Sequence, residues 1–207
     1  MNEWLKLRAL DMERVNSRLV RRQLGLSDAT PAELVMAVNA VTITDTYWVK
    51  NDGDHVLWKD VAFQRNDLAN TALLGSLSIP SGFERRTPER TNTGSFEKCW
   101  RRSNGKWWLY KVGYYDNLFS EMAAFKLCKA LGYPTATYEF VSPQHEDFIG
   151  RLKVQHVVIR TLDFTGEAAV NFEPGVCLGL RSSDPSYNYE VLSELSPKLG
   201  AEYIDLL

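Results

Sequence analysis

The residues whose types and placement point to chemistry are one lysine and one glutamate on consecutive predicted elements. Lys111 lies within the apolar and aromatic run Trp107–Val112, which is typical of a half-buried strand, so its ammonium needs a partner or a path to water. Glu121 follows on a predicted helix, where the residue four positions later is Phe125 and not a base. We therefore expect the two side chains to meet across the strand–helix interface. The alternative is a lysine that extends to water and a solvated glutamate.

Turn and capping signals define the elements that would position this pair. Asn104-Gly105 is a two-residue hairpin turn, which predicts that the strand Phe96–Trp100 pairs with the lysine strand. Asn117 is the predicted N-cap of the glutamate helix, and Gly132 ends that helix, which gives it the range 117–131.

The rest of the chain mixes helix and strand signals, which predicts an α+β fold with an antiparallel sheet and a packed helix. A helical N-terminal segment precedes it, with one helix over Asn2–Leu26 and a second that begins with a capping box at Thr30. A last helix is predicted from Asp184 or Ser186. Further strands are predicted at Tyr47–Val49, Thr135–Val141 and Leu152–Leu162.

Residues Ser76–Ser95 are rich in Ser, Thr, Pro and Gly, which indicates an exposed connection. We therefore predict two parts: an N-terminal helical and short-strand segment, 1–75, and a sheet-containing domain, 76–207.

Composition narrows the classes of function. The net charge of -2 argues against direct nucleic-acid binding, and no apolar run is long enough for a membrane span. No signal-peptide core is present, and the odd number of cysteines favours a reducing compartment, so we expect a cytoplasmic protein. Between Glu84 and Lys111, eight basic residues stand against three acids, a balance of +5. This basic segment suits an anionic ligand or is a solvated basic hairpin.

The order of strand, Asn-Gly turn, lysine strand, glutamate helix and two further strands resembles the N-terminal lobe of a protein kinase. More narrowly, it resembles the HipA-like serine/threonine kinases of bacteria and phages, over about residues 14–200. The matching residues are Thr42–Lys50, Trp58, Thr93-Gly94-Ser95, Asn104–Lys111, Glu121 and Leu131–Pro134.

The resemblance implies that ATP and Mg²⁺ are bound. Lys111 would contact the α- and β-phosphates, and Glu121 would hold Lys111. Gly94 and Ser95 would lie in the loop over the phosphates. In some relatives a hydroxyl of this loop is phosphorylated, and Ser95 or Thr93 would match it. Because this loop contains a single glycine, its own sequence is a weak phosphate-binding signal.

The adenine side and the catalytic groups complete the comparison. Leu162 and Asp163 would form the hinge near adenine. The sequence has no HRD-like stretch followed by asparagine and no DFG, since Asp163-Phe164-Thr165-Gly166 carries an extra threonine. No catalytic residue is therefore assigned in this chain, and the magnesium ligands would come from a C-terminal lobe.

Three interpretations stay open at this point. The first is the nucleotide-binding portion of a HipA-like kinase that is truncated or split from its C-terminal lobe and is inactive alone. The second is a non-catalytic interaction module of a phage or toxin–antitoxin system. The third, an unrelated α+β enzyme, has little support, because no GxSxG, HExxH or Cys–His pattern is present.

The cysteines generate a first prediction. Cys99, Cys128 and Cys177 are odd in number and widely spaced, so we expect no intramolecular disulfide and no bound metal. Mass spectrometry of the unreduced protein should give the mass of three free thiols. A mass two hydrogens lower, or stoichiometric zinc in the purified protein, would contradict this prediction.

Overall fold

The computed structural model describes residues 3–145, 148, 151–153, 155–166, 170–172, 175–181, 183–198 and 200. Mixed helices and strands confirm the predicted α+β class. The helices are α1 Glu3–Leu7, α2 Ser17–Leu24, α3 Pro31–Met36, α4 Trp58–Val61, α5 Ala69–Leu74, α6 Tyr115–Leu131 and α7 Pro185–Leu195. Short 3-10 helices span Pro88–Thr91 and Gly175–Leu178.

Four strands form one antiparallel sheet in the order β1-β2-β4-β3. The β1–β2 hairpin closes at Asn104-Gly105, as predicted, and both turn residues have the positive φ that this turn type requires. Because the loop has two residues, it fixes every cross-strand pair of the hairpin. The strands are β1 Lys98–Ser103, β2 Lys106–Tyr114, β3 Tyr138–Val141 and β4 His156–Leu162.

Helix α6 follows β2 without an intervening loop and packs on the sheet. Its Leu118 and Met122 are buried against Ile159 of β4. The predicted N-cap at Asn117 is wrong, because the helix begins at Tyr115 and Tyr114 is its cap. The predicted end is confirmed, since Gly132 adopts the left-handed conformation of a helix C-cap.

The first helices are shorter than predicted. The single helix expected over Asn2–Leu26 is wrong, because the chain leaves helical geometry between α1 and α2. In this interval Arg14 turns inward and donates to the carbonyl of Ala72. The capping box at Thr30 is confirmed, with reciprocal hydrogen bonds between Thr30 and Glu33.

The strand predicted at Tyr47–Val49 is absent, because side chains bind backbone groups that a strand would need. Asp45 accepts a hydrogen bond from the backbone N–H of Tyr47, and Arg8 donates to the Tyr47 carbonyl. Arg8 and Asp45 also form a buried bidentate ion pair, with N–O distances of 2.8 and 2.7 Å. This pair joins the end of α1 to the irregular segment that follows α3.

The connection Ser76–Ser95 is exposed only in part. Its residues Thr87–Asn92 are buried, so the prediction of an exposed connection is wrong for them. Here Glu89 is fully buried and lies 3.5 Å from the guanidinium of Arg14, which is also fully buried. Polar side chains at such depth require partners, and several of these are backbone groups of β1.

Strand β1 is an edge strand, and buried side chains satisfy backbone groups on its outer edge. Arg14 donates to the carbonyl of Lys98, and the N–H of Trp100 donates to Glu89 at 3.1 Å. The carbonyl of Trp100 accepts a hydrogen bond from Asn66 at 2.7 Å. These side chains form the hydrogen bonds that a neighbouring strand would otherwise provide. The Arg14–Glu89 ion pair therefore fixes the position of β1.

The chain divides into two compact units, residues 1–171 and 172–207. The predicted boundary after residue 75 lies within the first unit. In the second unit, Asp184 caps α7, as predicted, and Asn188 exchanges two hydrogen bonds with the backbone of Arg181. Within the described ranges, no helix is both long and apolar enough to cross a bilayer.

The buried Arg14–Glu89 ion pair predicts that removing the Glu89 carboxylate destabilises the protein. Glu89→Ala leaves the Arg14 charge unpaired inside the protein, so the free energy of unfolding should fall by about 3–5 kcal/mol in urea titration. Glu84→Ala is the matched control, because its partner Arg65 is 57% exposed and the pair should contribute about 0–1 kcal/mol. Equal losses in the two variants would show that β1 does not depend on the buried pair.

Candidate anion-binding site at Lys98 and Lys111

The predicted meeting of Lys111 and Glu121 is confirmed. The Lys111 Nζ lies 2.6 Å from Glu121 Oε2, across the interface between β2 and α6. The side chains are 19% and 28% exposed, so the pair is partly buried and open on one side. Glu121 can therefore hold the Lys111 ammonium in a fixed position that a ligand can still reach.

A second lysine, which the sequence interpretation did not select, lies beside the first. Lys98 of β1 is the direct cross-strand partner of Lys111. The signal was available, because the Asn104-Gly105 turn pairs Ser103 with Lys106 and the register then places Lys98 opposite Lys111. Two ammonium groups thus share one face of the sheet.

The environment of Lys98 disfavours its positive charge. Burial, together with the nearby charges of Arg14 and Lys111, lowers the pKa of Lys98 to about 8. Among the described residues, no carboxylate forms an ion pair with Lys98, whereas Lys111 has Glu121. A phosphate or carboxylate ligand placed beside the two lysines would relieve this repulsion.

The loop before β1 closes on Lys98. Gly94 has φ +92°, and a Cβ at this position would overlap the Lys98 ammonium. Glycine is therefore needed both for the backbone conformation and for the close approach of the lysine. Thr93 and Ser95 flank it and are exposed, so the loop that closes on Lys98 also carries two exposed hydroxyl residues.

The predicted hinge residues lie at the opposite end of β2 from the start of α6 and are already hydrogen-bonded. The N–H of Leu162 donates to Thr137, and that of Asp163 donates to Trp107 at 3.0 Å. The Asp163 side chain is buried and accepts hydrogen bonds from the backbone and hydroxyl of Thr165. Asp163 thus stabilises the turn that ends β4.

A cleft of about 250 Å³ lies between the β1–β2 hairpin and the segment that contains α4. None of the predicted site residues lines it. Among the described residues, no group of three or more His, Cys, Asp or Glu side chains could hold a metal ion. The lining residues of the cleft are Thr42, Ile43, Trp58, Lys59, Ala62, Phe63, Gln64, Arg102 and Trp107.

The two cysteines with described side chains, Cys99 and Cys128, are free thiols. Burial raises the pKa of the Cys99 thiol to about 12, so it stays protonated at neutral pH. The side chain of Cys177 lies outside the described part of the chain.

No protein-family model, no curated protein and no solved structure matches the chain. The assignment of this site therefore depends on its geometry.

The lowered pKa of Lys98 predicts a pH-dependent stability difference. The ordinary value of 10.5 applies to the unfolded chain, so between pH 8 and 10.5 the unfolded state binds more protons and wild-type stability rises with pH. Lys98→Met removes the buried charge and should stabilise the protein by about 1–3 kcal/mol at pH 7, an advantage that shrinks towards pH 10.5.

The measurement is urea unfolding of both proteins at several pH values. Lys106→Met is the control, because Lys106 is exposed and opens the same hairpin. A stability difference for Lys98→Met that stays constant from pH 7 to 10.5 would contradict the burial of a charged ammonium.

Proposed function

We propose that this chain contains the nucleotide-binding portion of a phosphotransferase of the protein-kinase-like, HipA-like type. The observation that carries the proposal is the 2.6 Å contact between Lys111 on a strand and Glu121 on the following helix. In protein kinases a strand lysine paired with a helix glutamate positions the phosphates of ATP. Lys111 would bind the phosphates here, and Glu121 would hold it in place.

The surroundings of Lys98 fit an anionic group and support the same proposal. Its partly buried ammonium lies against Gly94 and opposite Lys111, and burial disfavours its charge in the ligand-free protein. The residues that would hold a polyphosphate are thus Lys98, Lys111 and the loop at Gly94. The exposed Ser95 hydroxyl lies in this loop, so modification of Ser95 would alter the site directly.

The adenine contact at Leu162 and Asp163 receives less support. Both backbone N–H groups form hydrogen bonds within the protein, so a base could use these donors only by replacing those bonds. The proposal is therefore supported by the residues that would bind the phosphates, and recognition of the adenine base stays a prediction.

Phosphoryl transfer also needs an aspartate that accepts the substrate proton and acids that hold Mg²⁺. When bound with ATP, Mg²⁺ neutralises charge on the phosphates. The described residues provide no cluster of ligands for such an ion. We therefore propose that a C-terminal lobe or a partner protein supplies these groups and that this chain alone transfers no phosphate.

One observation favours the second candidate, a non-catalytic interaction module. The Tyr115 ring stacks on Phe119 and on Phe140 of the edge strand β3, and all three side chains are about half exposed. Such exposed aromatic groups are common where proteins bind one another. This surface is compatible with a partner lobe as well, so ATP binding separates the candidates.

The test of the proposal is ATP binding by titration calorimetry with the lysine variants. Lys111→Ala removes a charge-assisted contact and should weaken ATP binding about 10- to 100-fold, with little effect on the fold. Lys106→Ala, at the exposed start of the same strand, should bind ATP like the wild-type protein. Binding that is weak but dependent on Lys111 supports the nucleotide-binding portion.

Two results would contradict the proposal. Absence of ATP binding by the wild-type protein would favour the interaction module. Label transferred from ATP to the isolated chain in a Lys111-dependent manner would show a complete enzyme and would disprove the need for a separate lobe.

A further inference from the structure

The cleft between α4 and the β1–β2 hairpin has an apolar and largely aromatic inner surface. Ile43, Phe63 and Trp107 line it, and all three are buried. They belong to one hydrophobic cluster, against which the half-buried Trp58 packs. A ligand with a flat, apolar body would therefore remove aromatic surface from water here, and ring stacking would add to that gain.

The rim of the cleft is positively charged. Lys59 of α4 and Arg102 of β1 line it from its two sides, and both are exposed. Among the described residues that line the cleft, none is acidic. The ligand group that complements this rim is therefore an anion.

Hydrogen bonds fix the position of the Arg102 guanidinium at the rim. It donates to the side-chain oxygen of Gln64 at 3.1 Å and to the carbonyl of Gly105 at 3.4 Å. Gln64 follows α4, so the first bond joins the hairpin to the segment that forms the other wall. Both acceptors are neutral, so these bonds place the guanidinium without cancelling its charge.

Arg86 holds the wall of the cleft that α4 provides. Its guanidinium donates to the carbonyl of Val61 at 3.0 and 2.7 Å and to the carbonyl of Val38 at 2.9 Å. It also lies 5.8 Å from the centre of the Phe63 ring. The end of α4 and the Phe63 ring are thus held in place before a ligand arrives, which lowers the cost of binding.

The cleft is separate from the lysine site. Arg102 pairs with Trp107 across the hairpin, and Lys98, which pairs with Lys111, lies roughly 13 Å further along β1. Between them on the same side of the strand is Trp100, which is buried in the hydrophobic cluster of the cleft. A small ligand in the cleft would therefore not reach the two lysines.

We propose that this cleft binds a small aromatic carboxylate. The ring would lie against the aromatic inner surface, and the carboxylate would lie at Arg102 and Lys59. A planar guanidinium matches both oxygens of a carboxylate, and Lys59 adds a second positive charge. The volume of about 250 Å³ is below that of pockets for drug-sized ligands, which favours a ligand of one or two rings. The proposal does not depend on nucleotide binding at Lys98 and Lys111.

The first test follows the indole N–H signals of Trp58 and Trp107 by ¹H–¹⁵N NMR during a titration with benzoate. We expect both signals to shift, with a Kd of about 1 mM for so small a ligand. Benzamide has a similar shape and no charge, and it should bind about tenfold more weakly. Acetate, which has no ring, should leave the signals unchanged. Absence of benzoate shifts, or equal affinity for benzamide and benzoate, would overturn the proposal.

The second test removes the charge at the rim. Arg102→Gln should weaken benzoate binding about tenfold and leave benzamide binding unchanged, because only the contact with the carboxylate is lost. Lys106→Gln is the matched control, since it removes an exposed charge from the same hairpin at a position that does not line the cleft. Unchanged benzoate affinity in Arg102→Gln would overturn the assignment of the carboxylate to this residue.

The third test fills the cleft. Ala62 lines it and has an extended backbone that accommodates a larger residue, so Ala62→Leu should abolish the benzoate shifts. Urea unfolding checks that this variant is folded, and Arg102→Gln, at an exposed residue, tests the site independently of that result. Benzoate shifts that persist in folded Ala62→Leu, or that appear at Lys98 and Lys111 in place of the cleft, would overturn the proposal.

Lys111→Ala distinguishes this proposal from the proposed function. The variant should bind benzoate like the wild-type protein, whatever its effect on ATP binding. Benzoate binding without ATP binding by the wild-type protein would disprove the proposed function alone. ATP binding that depends on Lys111, without benzoate binding, would disprove the cleft alone.

Discussion

The position of the candidate site depends on the hydrogen bonds made by the backbone groups on the outer edge of β1. An edge strand presents unpaired backbone groups, and here Arg14, Glu89 and Asn66 bind those of Lys98 and Trp100. These three side chains come from the helical segment and from the buried part of the connection to the sheet. The N-terminal half of the chain therefore stabilises β1, the strand that carries the site lysine Lys98.

This arrangement also shapes the electrostatics of the site. Glu89 is buried beside Arg14, so the arginine largely compensates its negative charge. Desolvation nevertheless raises the pKa of the Glu89 carboxyl. Arg14 in turn adds to the positive field at Lys98. Glu121 offsets only Lys111. The face thus keeps excess positive charge in a partly buried place, which stabilises bound anions more than a solvated lysine does.

Sequence reasoning succeeded where a local signal defined the geometry. Residue type and the order of strand and helix were enough to predict that Lys111 meets Glu121. The two-residue turn also fixes the register of the hairpin, which places Lys98 opposite Lys111. Sequence reasoning failed where distant residues meet, as with Arg14, whose burial against β1 breaks the predicted first helix.

Amide chemical-shift mapping tests whether the Lys98–Lys111 face binds the phosphates of a nucleotide. We expect ATP to shift the ¹H–¹⁵N signals of Gly94, Lys98 and Lys111 most, and adenosine, which has no phosphate, to leave these signals unchanged. Shifts confined to the cleft between α4 and the hairpin, or equal shifts with adenosine and ATP, would contradict the assignment of this face to phosphate.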